Sequence, residues 1–241
     1  MTVVSELARA PKVKEHQVWD LPVRLFHWTL VSAMIGAFVT NRLGVAYFKY
    51  HVWFGYTVIV LVLFRVIWGF VGTHHARFKN FVYGPTKTLQ YTISLFRGQV
   101  RPHAGHNPLG ACMVLVLLMA LGTQAVFGLF SNDDIFNTGP LYGYVSKELS
   151  RKLTSMHRIL FYWIVIAAAI HIVAVIAHQI FDKANLIISM FTGCKQLVNV
   201  PEVEVNYRSR DWVAVLLIVA LSIGLAWVIR HAPVSLDLDS L

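Results

Sequence analysis

Acidic residues are scarce in this chain. Only 12 of its 241 residues are Asp or Glu, against 21 Lys and Arg, and none falls inside its long apolar runs. Cysteine is scarcer still. Cys112 and Cys194 are too few and too far apart to support a disulfide or an iron–sulfur cluster. No C-x-x-C-H occurs, which excludes a covalently attached c-type haem by that route. The apolar runs hold neither H-x-x-x-H nor H-E-x-x-H, and no carboxylate lies near their histidines, so a zinc centre is poorly supported. No helix-turn-helix or zinc signature accompanies the basic excess, which disfavours nucleic acid as its partner. Residues 1–20 carry no apolar core and no small-residue cleavage site, so no signal peptide is expected and the first apolar run directs insertion.

What the chain has in abundance is apolar mass. It is 56% hydrophobic and 14% charged, with a mean hydropathy of +0.59, the composition of an integral membrane protein. Five runs are long enough to span a bilayer: Phe26–Asn41, Val52–Val71, Leu109–Phe130, Ile159–Ile180 and Trp212–Ile229. The expected fold is an all-α membrane helix bundle. If the N-terminus is cytoplasmic, Arg9, Lys12, Lys14, Arg24, Arg77, Lys79, Lys87, Arg97, Arg101, Lys183, Lys195, Arg208 and Arg210 lie on that side. Arg42, Lys49, Lys147, Arg151, Lys152 and Arg230 lie on the other. That is 13 against 6, which places the N-terminus inside and the C-terminus outside.

Between the runs, Pro85–Arg97 has Leu89, Ile93 and Phe96 at helical spacing, flanked by Lys87 and Arg97, and predicts an amphipathic helix lying at the interface. Pro108 follows a Gly105–Asn107 turn and suits the first position of the third span. Ser131–Ser155 is expected to be a polar, turn-rich outer loop. Phe181–Asp211 reads as a more soluble inner segment.

Four histidines carry the chemistry. His157 and His171 lie fourteen residues apart on one run, which on an α-helix is a rise of about 21 Å and a return to within roughly 40° of the same face. His27 lies near the inner start of the first span, and His51 near the outer start of the second. Depth then pairs His51 with His157 and His27 with His171. Two such pairs suit two irons on opposite sides of a bilayer, each clamped between imidazoles with no open position for oxygen. Interhelical hydrogen bonding in a haem-free bundle is the competing reading. Three arginines are candidate partners for haem propionates: Arg24 three residues before His27, Arg158 directly after His157, and Arg65 fourteen beyond His51. Snorkelling at the interface is the alternative for each, and Arg65 also fits a quinone. His178, His74 and His75 are expected at the interface or in loops, with a role near a quinone as the alternative. Gly36, Gly55, Gly69 and Ala167–Ala169 suit close approach of helices or porphyrin.

These residues resemble the bacterial cytochrome b561 family, which includes the b-type subunits of nickel–iron hydrogenases and is similar to the membrane subunit of respiratory formate dehydrogenase. The resemblance rests on VWDLPVRLFHW at 18–28, HVWFGY at 51–56, FRVIWGFVGTHHARF at 64–78, GHNPLGACMV at 105–114, GLFSNDD at 128–134, MHRILFYWIVIAAAIHIVA at 156–174 and NLIISMFTGCK at 185–195. It implies a four-helix core over 21–198 holding two non-covalent b haems, with His27, His51, His157 and His171 as axial ligands. A segment at 1–20 precedes that core. Residues 199–241 add a linker and a fifth transmembrane helix, a departure from the four-helix pattern. The implied role is electron transfer in a bacterial inner membrane, between quinone and a c-type cytochrome or a dehydrogenase or hydrogenase subunit on the outer face. A stand-alone quinone reductase fed by a small donor such as superoxide is the alternative.

Overall fold

The structure is a computed structural model that describes residues 13–99, 105–181, 185–198 and 210–233. The expectations placed on Arg9, Lys12, Arg101, Lys183 and Arg208 lie outside these residues, as does most of the linker before the fifth span. Five helices are long and apolar enough to cross a membrane: α1 Leu21–Arg42, α2 Phe48–Val71, α5 Pro108–Leu129, α6 Lys147–Phe181 and α8 Asp211–Arg230. Between them come α3 Phe78–Phe81, α4 Pro85–Phe96 and α7 Leu186–Thr192. The bundle end carrying Asp20 is called inner below, following the distribution of basic residues.

Helix α1 starts where Asp20 accepts from the backbone N–H of Val23 at 2.7 Å, with Pro22 in the first turn. The Asp20 carboxylate is 1% exposed. It also accepts from Trp68 Nε1 at 2.9 Å and Thr73 Oγ1 at 2.7 Å, which binds the start of α1 to the end of α2. Asn107 caps α5 in the same way, accepting from Gly110 N–H at 2.7 Å, with Pro108 in the first turn as expected. Phe26, Leu30, Phe64, Trp68, Leu118, Leu121 and Ile164 form one core shared by α1, α2, α5 and α6. Many large apolar side chains point outward, among them Ile166, Ile170, Val173, Leu216 and Ile223, as lipid contact requires. On α4, Leu89, Ile93 and Phe96 are exposed along one face while Tyr91 is buried, in keeping with the expected interfacial helix.

Two features depart from the sequence expectation. Ser131–Ser155 is not a loop throughout. From Lys147 the chain is already α6, which reaches 35 residues, so His157 lies ten residues inside that helix. Lys147–Ser155 is too polar to register as a span, yet it forms helix readily. Ser146 Oγ accepts from Leu149 N–H at 3.3 Å, and Glu148 pairs with Lys152 at 2.7 Å one turn on. The second departure is a two-stranded antiparallel ribbon in a bundle expected to be wholly helical. Strand β1, Val13–Gln17, pairs with β2, Cys194–Val198, placing Val13 opposite Val198 and Gln17 opposite Cys194. The ribbon leads directly into Val18, whose N–H donates to Gly193 O at 2.8 Å. Gly193 has φ 86° and ends α7 in the left-handed region.

Candidate functional site

Each helix of the core contributes to the outer histidine pair. His51 sits in the first turn of α2, and His157 faces it from α6 with ring centroids 6.2 Å apart and ring planes at 85°. His51 Nδ1 lies 2.8 Å from Ala37 O on α1, and His157 Nδ1 lies 2.8 Å from Gln124 O on α5. A carbonyl can only accept, so both Nδ1 atoms carry the proton and each Nε2 keeps its lone pair for a metal. Gly128 on α5 leaves the space this needs: a Cβ there would stand 3.1 Å from His157 Cε1. One turn beyond His51 on the same face, a Cβ at Gly55 would meet nothing within 4 Å.

The inner pair is drawn from α1 and α6. His27 on α1 and His171 on α6 lie within electrostatic range of one another. His27 Nδ1 is buried and has no hydrogen-bond partner among the described residues, and its ring packs edge-on against Trp28. Both rings of the outer pair thus have a backbone carbonyl at the second nitrogen, while His27 Nδ1 has none among the described residues.

The three arginines sit differently from one another. Arg24 donates from Nη1 to Phe191 O at the end of α7, beside Trp28, whose Nε1 donates to Met190 O at 3.3 Å and whose ring stacks on Phe191. Arg24 Nε remains buried and unpartnered among the described residues. Arg65 is 3% exposed; its Nη1 donates to Ala76 O at 3.1 Å, and its guanidinium lies 5.2 Å from the Phe78 ring and 5.7 Å from that of Phe81. Arg158 is exposed next to His157.

His106, in the turn before α5, is a side chain whose burial sequence reasoning missed. It packs between Trp19 and Phe81 at 4.7 and 4.6 Å, with Nδ1 buried and unpartnered among the described residues. Burial holds its imidazole neutral, down to a pKa of about 3, and the charges of Arg65, His171, His75 and Lys195 push the same way. Its only signal in the sequence is its place one residue before the Asn107 cap. His75 is also lowered, by burial first and then by His74 and His16. Asn107 Nδ2 donates to His178 Nε2 at 3.3 Å, so His178 is joined to the start of α5.

The model of the prokaryotic cytochrome b561 family matches residues 18–193. A protein of Bradyrhizobium diazoefficiens named probable Ni/Fe-hydrogenase B-type cytochrome subunit is 24% identical over 212 residues, covering 74% of this chain and 85% of the relative. Its namesakes from Cupriavidus necator and Azotobacter chroococcum are 25% identical over 223 residues and 27% over 210. They cover 78% and 73% of this chain, and 89% and 86% of their own lengths. No solved structure matches the chain significantly. The chain belongs to the prokaryotic cytochrome b561 family, and is a multi-pass, haem-bearing b-type cytochrome of electron transport.

Proposed function

We propose that this cytochrome holds two b haems, one between His51 and His157 and one between His27 and His171, and moves electrons between membrane quinone and a partner protein. The observation that carries this reading is the outer pair. Two metal–nitrogen bonds of about 2 Å, with about 1 Å more from each nitrogen to its ring centre, separate the centroids of two imidazoles on one metal by about 6 Å. The spacing of 6.2 Å fits. So do the two Nδ1 contacts, which set the tautomer and fix the rings, and the room left by Gly55 and Gly128. The buried, unpartnered His27 Nδ1 and Arg24 Nε also suit a polar group entering the inner end of the bundle.

A b haem clamped by two imidazoles supplies reversible one-electron exchange and leaves no open position for oxygen. The protein's own part is to fix the four imidazoles, to keep the pairs about 21 Å apart along α6, and to surround them with a water-poor core. Arg24, Arg65 and Arg158 are the candidate propionate partners. Of these, Arg65 already spends one donor on Ala76 O.

The relatives are named as hydrogenase subunits, which favours a protein partner over superoxide or another small donor. A hydrogenase is the first candidate, with a c-type cytochrome or a dehydrogenase subunit next, on the outer side of a bacterial inner membrane. The test is spectroscopic. Purified protein reduced with dithionite is expected to show b-type α-band absorption and about two haems per chain. His51→Ala and His157→Ala are expected to deplete one haem, and His27→Ala and His171→Ala the other. Depletion of the same haem by His27→Ala and His157→Ala would overturn the pairing.

A further inference from the structure

A cavity of about 750 Å³ lies between α8 and the α1–α2 pair. Its walls are almost wholly apolar, with Phe26, Phe64 and Leu225 among them, but four hydroxyl side chains also line it, Thr29, Tyr56, Thr57 and Ser222, and Asp211 and Arg230 stand at the two ends of its α8 wall. Thr57 donates to Trp53 O, while Thr29, Tyr56 and Ser222 have no hydrogen-bond partner among the described residues. Hydroxyls elsewhere on the bundle are spent on backbone carbonyls in the same way: Thr40 on Gly36 O and Ser131 on Phe127 O. Hydroxyls left without acceptors at hydrocarbon depth are costly. A cavity that sets three of them along apolar walls suits a ligand with acceptor oxygens and a long apolar body.

We propose that this cavity binds an isoprenoid quinone. The inference rests on the electron-transfer reading above and adds a location to it. Depth separates a quinone from a phospholipid, the other source of carbonyls and apolar chains. Thr29 lies two residues beyond His27, about 3 Å toward the outer side, and Tyr56 lies five beyond His51, about 7.5 Å toward the inner side. Both hydroxyls therefore fall between the two histidine levels, inside the hydrocarbon core of about 30 Å, whereas phospholipid ester groups sit at its edges. A quinone ring can carry two carbonyls to that depth. Thr29 and Tyr56 also project from the sides of α1 and α2 that face away from His27 and His51, by about 160° and 140°. A ring in the cavity is thus separated from both histidine pairs by the thickness of one helix, about 10 Å.

The experiment uses the full haem-loaded chain in phosphatidylcholine nanodiscs, photolabelled with an azido-substituted short-chain ubiquinone and mapped by mass spectrometry. Label is expected on the α1 and α8 peptides, suppressed by decylubiquinone and unaffected by added phosphatidylcholine. Tyr56→Phe keeps the ring and removes the hydroxyl, and is expected to cut labelling about fivefold. Ala226→Trp fills the cavity from a lipid-facing helix and is expected to cut it about tenfold or more. Haem content reports that both variants remain folded. Label confined to α5 or α6, label that survives Ala226→Trp, or label displaced by phospholipid would each overturn the site. Quinol reduction of the haems in the same discs is read separately. If labelling behaves as expected but no haem is reduced, the location stands and the electron-transfer reading fails.

Discussion

At the scale of single residues, the outer site depends on atoms that never touch a metal. Gln124 O fixes the tautomer of His157 from one side, and the missing side chain of Gly128 leaves the ring room on the other. Gly128→Val puts a branched side chain where a Cβ alone would already stand 3.1 Å from His157 Cε1. The ring must tilt, and haem content is expected to fall from about two per chain to about one, measured by pyridine haemochrome against protein mass. The start of α1 depends in a similar way on Asp20. Asp20→Ala strips the acceptor from Val23 N–H, Trp68 Nε1 and Thr73 Oγ1 and leaves buried donors unpaired, at a cost of about 3 kcal/mol or more. Thermal unfolding in detergent is expected to show that loss, and Asp20→Asn, which keeps one carbonyl oxygen, is expected to recover part of it. Nothing in the spacing of the sequence marks Asp20. Its importance comes from Trp68 and Thr73, about fifty positions away and met only once α1 and α2 are packed.

At the scale of elements, α6 and the loop before it behave as one unit. Ser150 Oγ donates to Phe130 O at 2.6 Å, and Thr154 Oγ1 accepts from Asn132 N–H at 2.9 Å and donates to its carbonyl at 3.1 Å. The polar first turns of α6 therefore hold the start of the outer loop against that helix. The loop's own geometry centres on Asp133. Burial raises its pKa, but the N–H groups of Asn137, Ile135 and Phe136 and the Asn137 side chain outweigh it, bringing the carboxyl from 3.8 down to about 2. A depressed carboxylate pKa stabilises the fold above the unfolded value, so this contribution is complete near neutrality and is lost as pH falls from about 4 to about 2. Hydrogen exchange at the amides of Ile135, Phe136 and Asn137, corrected for intrinsic rate, is expected to lose protection over that window. Asp133→Asn is expected to abolish the dependence. The apolar length of each span was legible from hydropathy. The polar extension of α6 was not, because a hydropathy scan registers transfer to lipid and is silent on helices in water. The β1–β2 ribbon was equally hidden: VKEHQ and CKQLV show no clean alternation, and each becomes a strand only through the other.

At the scale of the whole molecule, what could be read early was whatever repeats along one axis. Five apolar runs, a fourteen-residue histidine interval and an uneven share of Lys and Arg are one-dimensional signals, and the helices follow the runs closely. Lateral arrangement carries no such signal, which is why the placement of Arg24 against α7 and of α8 against α2 emerged only with the fold. The topology nonetheless commits the molecule to a strict sidedness. Phe136 and the end of α8 share one face, since Tyr144 Oη donates to His231 O at 3.4 Å. Cys194 lies on the opposite face, in the ribbon held under Val18. With 13 basic residues expected on the Cys194 side and 6 on the other, we propose by the positive-inside rule that Cys194 faces the cytoplasm. In a Cys112→Ser background, Cys194 is expected to resist a membrane-impermeant maleimide in intact spheroplasts and to react once the membrane is permeabilised. Phe136→Cys, 74% exposed at its site, is expected to react in both conditions. The reverse pattern would invert the protein in the membrane, exchange the inner and outer histidine pairs, and move the partner's docking face to the cytoplasm.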